Sequence, residues 1–194
     1  MLRTVCVFCA ANAGVDPGYV AAADAMGRFL ATTGRRLVYG GGRTGLMGAL
    51  ADGALAAGGE VIGIMPQHLV DREVAHTGLT TLHVVSSMHE RKALLAKLSD
   101  GFLAMPGGLG TMEELFEIWT WGQLGLHRKP YGVLNVAGFY GPLLTFLDHA
   151  VREGFVRQEY RDLLAVDTEP DALVARMEAM EPPAVARWLT PATS

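Results

Sequence analysis

Cysteine, lysine and aromatic residues are scarce in this 194-residue chain, and neither a basic run nor a long apolar run interrupts it. Two cysteines, Cys6 and Cys9, cannot build a disulfide framework or a four-cysteine zinc site. Their C-x-x-C spacing argues little for redox chemistry. It falls in a strand-like run, Val5 to Cys9, where residues three apart point to opposite faces, whereas a redox pair needs a helix start. Two small strand residues are expected there. A formal charge of -4 with no basic stretch argues against a nucleic-acid surface, so any anion is bound locally. The apolar run at the N-terminus meets Asn12 and Gly14 too early to span a membrane and has no signal-peptide cleavage pattern, so a cytoplasmic protein is expected. His68, His76, His83 and His89 show no metal-ligand spacing, and no metal site is expected.

What the chain has is hydrophobic content, 50%, and glycine, 24 residues, distributed in one repeating order. Strand-like runs at Val5 to Cys9, Arg36 to Tyr39, Val61 to Met65, Thr81 to Val85, Gly101 to Met105 and Tyr131 to Val136 alternate with helical patterns near 18–33, 45–57, 88–98, 111–124 and 140–153. A last pair is expected at Leu163 to Val166 and 170–180. Strands alternating with helices imply an α/β fold: a single-domain, Rossmann-like, doubly wound parallel sheet with helices on both faces. The domain is expected over residues 1–181, and the Pro- and Ala-rich 182–194 reads as a loosely ordered tail.

In such sheets ligands sit beyond the carboxyl ends of the strands. Three stretches fall there. Pro106-Gly107-Gly108-Leu109-Gly110-Thr111-Met112-Glu113-Glu114 reads as strand, glycine turn and helix start, a phosphate cradle with two carboxylates at its rim. Thr111 to Glu114 has the form of a capping box, with Glu114 at the third helical position. Ser87 to Glu90 is a second such box, and Arg91 behind it shares the face of Leu95 and Leu98, so it points into the crevice. Gly40 to Gly45 contains G-x-G-x-x-G. The acidic residue at the matching distance, Glu60, stands at the start of the next strand rather than its end, which leaves tight packing or a nucleotide-side wall as alternatives to dinucleotide binding. Spacing alone leaves Glu114 either a helix cap or a site carboxylate, and Arg91 either a partner of Glu90 or another acid, or a ligand contact.

Met88-His89-Glu90-Arg91-Lys92 together with Pro106 to Glu114 closely resembles the LOG (LONELY GUY) family, as do Tyr39 to Gly42, Gly45 to Gly48, Gly58-Gly59 and Trp121 to Gly125. The resemblance implies a phosphoribohydrolase without a cofactor. It would cleave the N-glycosidic bond of N6-substituted adenosine 5′-monophosphates, and of AMP in some members, to free base and ribose 5-phosphate. It implies Arg91 and Glu114 as the catalytic pair. Glu73, Lys92, Gly107, Gly108, Leu109, Gly110, Thr111, Met112, Glu113 and Thr120 would bind the nucleotide, with Glu113 on the ribose hydroxyls. A homodimer is also implied. One departure stands out: the family's first loop, Cys-Gly-Ser-Ser, is here Cys9-Ala10-Ala11-Asn12, so two hydroxyls are missing at that wall. Met88, Met112 and Trp119 are candidates for the N6 pocket, with core packing as the competing reading. A lysine decarboxylase, the label often given to such sequences, would need a Schiff-base lysine, and Lys92, Lys97 and Lys129 sit in no cofactor motif. A nucleotide-binding or carrier protein of the same fold is the alternative, one that would not need Arg91 and Glu114 together.

Overall fold

The computed structural model describes residues 1–71 and 74–181. Glu73 and the tail 182–194 lie outside the described residues. Seven strands, β1 (Thr4–Phe8), β2 (Arg36–Tyr39), β3 (Val61–Pro66), β4 (Thr81–Val85), β5 (Gly101–Ala104), β6 (Tyr131–Leu134) and β7 (Leu164–Asp167), pair in parallel in the order β4-β3-β2-β1-β5-β6-β7. Between and after them run α1 (Pro17–Thr32), α2 (Gly45–Ala56), α3 (Gln67–Val70), α4 (Met88–Leu98), α5 (Leu109–Gln123), a 3-10 turn (Val136–Gly138), α6 (Gly141–Arg152), α7 (Gln158–Arg161) and α8 (Pro170–Ala179).

The two-residue period of β1 sorts its side chains between two cores. Val5, Val7 and Cys9 enter the layer filled by Met26 and Leu30 of α1, Leu50 of α2 and Leu173 of α8. Cys6 and Phe8 enter the opposite layer with Leu95 of α4, Leu115 and Ile118 of α5 and Leu147 of α6. The two cysteines therefore face apart and are free and buried, as strand geometry predicts. Met26, Leu30 and Leu50 are fully buried, each contributing about 2 kcal/mol of transfer free energy. A parallel sheet needs such cover on both faces.

Strand order runs outward in one direction from β1 and in the other from β5. The connections leaving these neighbours part to opposite faces, so a crevice opens beyond their carboxyl ends. Beyond one-residue shifts at element ends, three differences from expectation matter here. The sixth strand stops at Leu134, because Asn135 turns the chain and its side-chain oxygen accepts the N–H of Tyr140 at 2.7 Å. The short α3 and α7 leave no amphipathic period to read. The third difference, at the start of α5, bears on chemistry.

Candidate active site

Helix α5 begins at Leu109, two residues before the expected Thr111, with Gly108 as an extended N-cap that offers no side chain. The capping-box reading of Thr111 to Glu114 is thereby corrected. Thr111 is buried and packs against Gly107, where an added Cβ would collide with its hydroxyl. Glu114 is the sixth residue of the helix, a full turn beyond any capping position. The first intrahelical donor is the Met112 N–H, onto the Gly108 carbonyl at 3.1 Å, so the helix's earlier N–H groups are left for an outside acceptor.

The other helix start matches its expectation and adds a detail. The Ser87 hydroxyl accepts the Glu90 N–H at 3.2 Å, while the Glu90 carboxylate turns back to the Ser86 N–H and hydroxyl, both at 2.8 Å. Glu90 is thus engaged away from Arg91. The guanidinium instead donates to the Ile64 carbonyl within β3 (3.1 Å) and to the Gly40 carbonyl after β2 (3.4 Å), and stands 3.8 Å from Glu114. A Cβ on Gly40 would collide with that guanidinium, so glycine is required there by close approach. Glu60 pairs with Arg36 at 3.7 Å, at the far ends of their strands, and supplies no ribose-binding acid to this turn. In the same turn Gly45, at φ +59°, lets the first loop lie directly against α2.

That first loop is stitched between the other two. The Ala10 N–H bonds to the Pro106 carbonyl and its carbonyl accepts the Met47 N–H, each at 3.2 Å. Two buried tyrosines brace the flanking turns, Tyr39 donating to the Gly42 carbonyl at 3.0 Å and Tyr140 to the Met105 carbonyl at 2.7 Å. Together the loops enclose a cavity of about 270 Å³ walled by Arg91, Glu114, Gly108, Gly110, Thr111, Gly40, Met47 and the loop Cys9 to Asn12. Asn12 fills the wall where the family loop carries hydroxyls, beside the methyl groups of Ala10 and Ala11.

The expected residues divide. Arg91, Glu114, Gly108, Gly110 and Thr111 meet in the cavity, and Gly107 lines an adjoining apolar pocket with Tyr19, Leu46 and Phe139. Lys92 and Glu113 lie outside it, bonded to each other at 2.7 Å, with Lys92 also bonded to Glu117 at 2.9 Å. Leu109 is almost fully exposed, Thr120 is exposed farther along α5, and Met112 packs on the core beneath α5. Trp119 is a core residue whose indole donates to the Tyr160 carbonyl at 3.1 Å. Gly40 and Met47 bear out the wall reading of the first glycine turn, whereas sequence reading missed Glu117 as the second partner of Lys92. The i, i+4 spacing of Glu113 and Glu117 was the available signal.

Burial pushes the Glu114 carboxyl up from its ordinary value of 4.5 to about 7. Arg91 opposes the shift, and Glu113 adds to it. Burial likewise raises both thiols, Cys6 and Cys9, far above neutrality, so they are protonated and inert. Among the described residues, no three His, Cys, Asp or Glu side chains gather to hold a metal ion, and no helix is long and apolar enough to cross a membrane.

Comparison with known proteins follows the same lines. The family model described as "Possible lysine decarboxylase" matches residues 47–177. A cytokinin riboside 5′-monophosphate phosphoribohydrolase of Rhodococcoides fascians is 47% identical over 91% of this chain and 90% of its own length. The enzyme LOG of Oryza sativa subsp. japonica is 44% identical over 93% of this chain and 74% of its own. Among solved structures, the molybdenum cofactor carrier protein of Chlamydomonas reinhardtii superposes with a TM-score of 0.70 at 21% identity, over 92% of this chain and 98% of that one. The molybdenum cofactor binding protein of Rippkaea orientalis gives 0.69 at 21%, over 92% and 97%. At that identity the structural likeness establishes the Rossmann-type fold alone. None of the three lysines lines the cavity: Lys92 is held by two carboxylates, Lys129 donates to the Ala96 carbonyl, and Lys97 lies by a groove at the other end of α4. The decarboxylase description therefore finds no Schiff-base lysine here, and the chain belongs to the LOG family of phosphoribohydrolases.

Proposed function

We propose that this chain hydrolyses the N-glycosidic bond of N6-substituted adenosine 5′-monophosphates, and of AMP, releasing the free base and ribose 5-phosphate. The carrying observation is the largely buried Arg91–Glu114 pair on the wall of a cavity onto which the uncapped start of α5 opens. The N–H groups of Gly108 to Thr111 and the positive end of the helix dipole hold the 5′-phosphate, with no side-chain cation required. This sets the ribose against Glu114. As the bond to the base lengthens, positive charge develops on the ribose ring, and the Glu114 carboxylate stabilises it and takes a proton from the attacking water. The hydroxide portion joins C1′, the departing base takes a proton from solvent, and Glu114 returns its proton to solvent, so the net reaction consumes one water. Arg91, fixed by two backbone carbonyls, is preorganised to stabilise charge on the departing base.

Glu113 is drawn to Lys92, which leaves Asn12 the better-placed partner for a ribose or phosphate oxygen. We assign the molecule to the cytoplasm, where its two free thiols stay reduced, and read it as a homodimer by analogy with the family. The test is incubation with isopentenyladenosine 5′-monophosphate and with AMP, with released base followed by chromatography and mass read by native mass spectrometry. Base release from either nucleotide supports the hydrolase, and tight binding without release would establish the carrier reading instead.

A further inference from the structure

Lys92 is one of three lysines in the chain, and it sits beside the reacting pair without lining the cavity. Its side chain lies along the protein and its ammonium reaches from α4 to two carboxylates one turn apart on α5, Glu113 at 2.7 Å and Glu117 at 2.9 Å. Glu114 lies between these two along α5. A small void bounded by Phe8, Lys92, Leu95, Glu114, Glu117 and Ile118 separates the clamp from the strand beneath.

We propose that Lys92 is a positioning residue: its ammonium clamps Glu113 and Glu117, locks α5 to α4, and so holds Glu114 opposite Arg91. The inference rests on the reading of Glu114 as the reacting carboxylate. Three carboxylates within two helical turns would otherwise repel one another and pull the first turns of α5 away from α4. One ammonium neutralises part of that charge and fixes the distance between the helices. The groups facing Glu114 are few: Arg91 and Lys92 from α4, Glu113 and Glu117 on its own helix, and the thiols Cys6 and Cys9 from β1 and its end, both uncharged. Lys92 and Arg91 favour the ionised form of Glu114, and Glu113 and Glu117 oppose it. The clamp thus shapes the pH range over which Glu114 is a carboxylate as well as its place.

Lys92→Met tests this in the full-length protein. The acid limb of kcat/KM is expected to move up by about one pH unit, and activity at pH 6.5 to fall about tenfold relative to pH 8.5. Adding Glu117→Gln to that variant should return the limb part of the way, since one uncompensated charge is gone. Should Lys92→Met fail to fold, Glu117→Gln alone, a neutral isostere, is expected to move the limb down. A raised KM with an unmoved limb would instead make Lys92 a direct substrate contact and overturn the proposal. So would lowered thermal stability with an unmoved limb. A ¹³C titration of the Glu114 carboxyl, assigned by difference from Glu114→Gln, reads the same shift without turnover. If the unaltered protein releases no base, the hydrolase reading fails, and the titration still decides the clamp.

Discussion

Two helices begin at the same edge of the sheet with the same S/T-x-x-E sequence form, and the structure treats them oppositely. Helix α4 is closed: Ser87 accepts the Glu90 N–H, and Glu90 occupies the N–H and hydroxyl of Ser86. Helix α5 is open: its N-cap is Gly108, and Thr111, the expected cap, is turned inward against Gly107. A closed end is rigid and delivers a side chain, here Arg91, four residues past the cap. An open end delivers backbone N–H groups to a ligand. The cavity needs one of each, and converting either into the other is the most direct way to test the division.

The largest effect is expected from Glu114, which the open helix carries in its second turn. Glu114→Gln should lower kcat by about 10³-fold, within the range for a general base, as measured by base release at pH 8. The same change should stabilise the fold at that pH. Glu114 titrates near 7 when folded and near 4.5 when exposed, so between those values the native state binds more protons than the unfolded chain. The contribution of Glu114 to stability therefore falls as pH rises from 4.5 to 7 and is flat above, by about 3 kcal/mol in all, while His127, held below its ordinary value by burial, works in the opposite direction. Glu114→Gln removes that loss, and the difference in melting temperature between the variant and the parent should widen as pH rises through this window.

Arg91→Lys comes next. An ammonium on a shorter reach cannot donate to the Ile64 and Gly40 carbonyls and still face Glu114, so kcat should fall about 10²-fold with little change in the KM for the nucleotide. Third, Gly108→Asp closes the open helix. Gly108 has an ordinary negative φ and no atom within 4 Å of an added Cβ, so the substitution fits. The new carboxylate should cap α5 and stabilise the protein by about 1 kcal/mol. It should also occupy the phosphate donors and repel the anion, raising KM by about tenfold or more. Stability and binding moving in opposite directions is the signature of an end left open for a ligand.

The sheet, its seven strands and the crevice were legible because the strands are short, mostly apolar runs bounded by glycine or a polar turn, as at Arg36 to Tyr39 and Gly101 to Ala104. Arg91 and Glu114 were legible as crevice residues because each stands at a helix start beyond the carboxyl end of a strand, but β4 and β5 are separated by β3, β2 and β1, and the crossing of α4 over those strands, which brings the two side chains together, was not. The start of α5 was not. Sequence form cannot tell a threonine that caps from one that packs inward, and the difference lies in Gly107, whose missing Cβ makes room for the Thr111 side chain. The Glu113 pairing was illegible for a related reason: its carboxylate has the Lys92 ammonium within reach on another helix, and pairing across α4 and α5 is invisible to spacing within either.

The mirror experiment opens the closed helix. Ser87→Ala removes the acceptor of the Glu90 N–H and should cost about 1 kcal/mol, or 2–4 °C in melting temperature for a chain of this size. The Glu90 carboxylate keeps its bonds to Ser86, and Arg91 keeps its two carbonyl partners, so the guanidinium stays where it is. KM and kcat should then remain within twofold of the parent. That outcome would separate the two ends cleanly: capping α5 costs binding and adds stability, whereas uncapping α4 costs stability and leaves binding alone. A large loss of kcat in Ser87→Ala would show that the α4 cap places Arg91 more tightly than its backbone partners do, and the division between a side-chain end and a backbone end would fail.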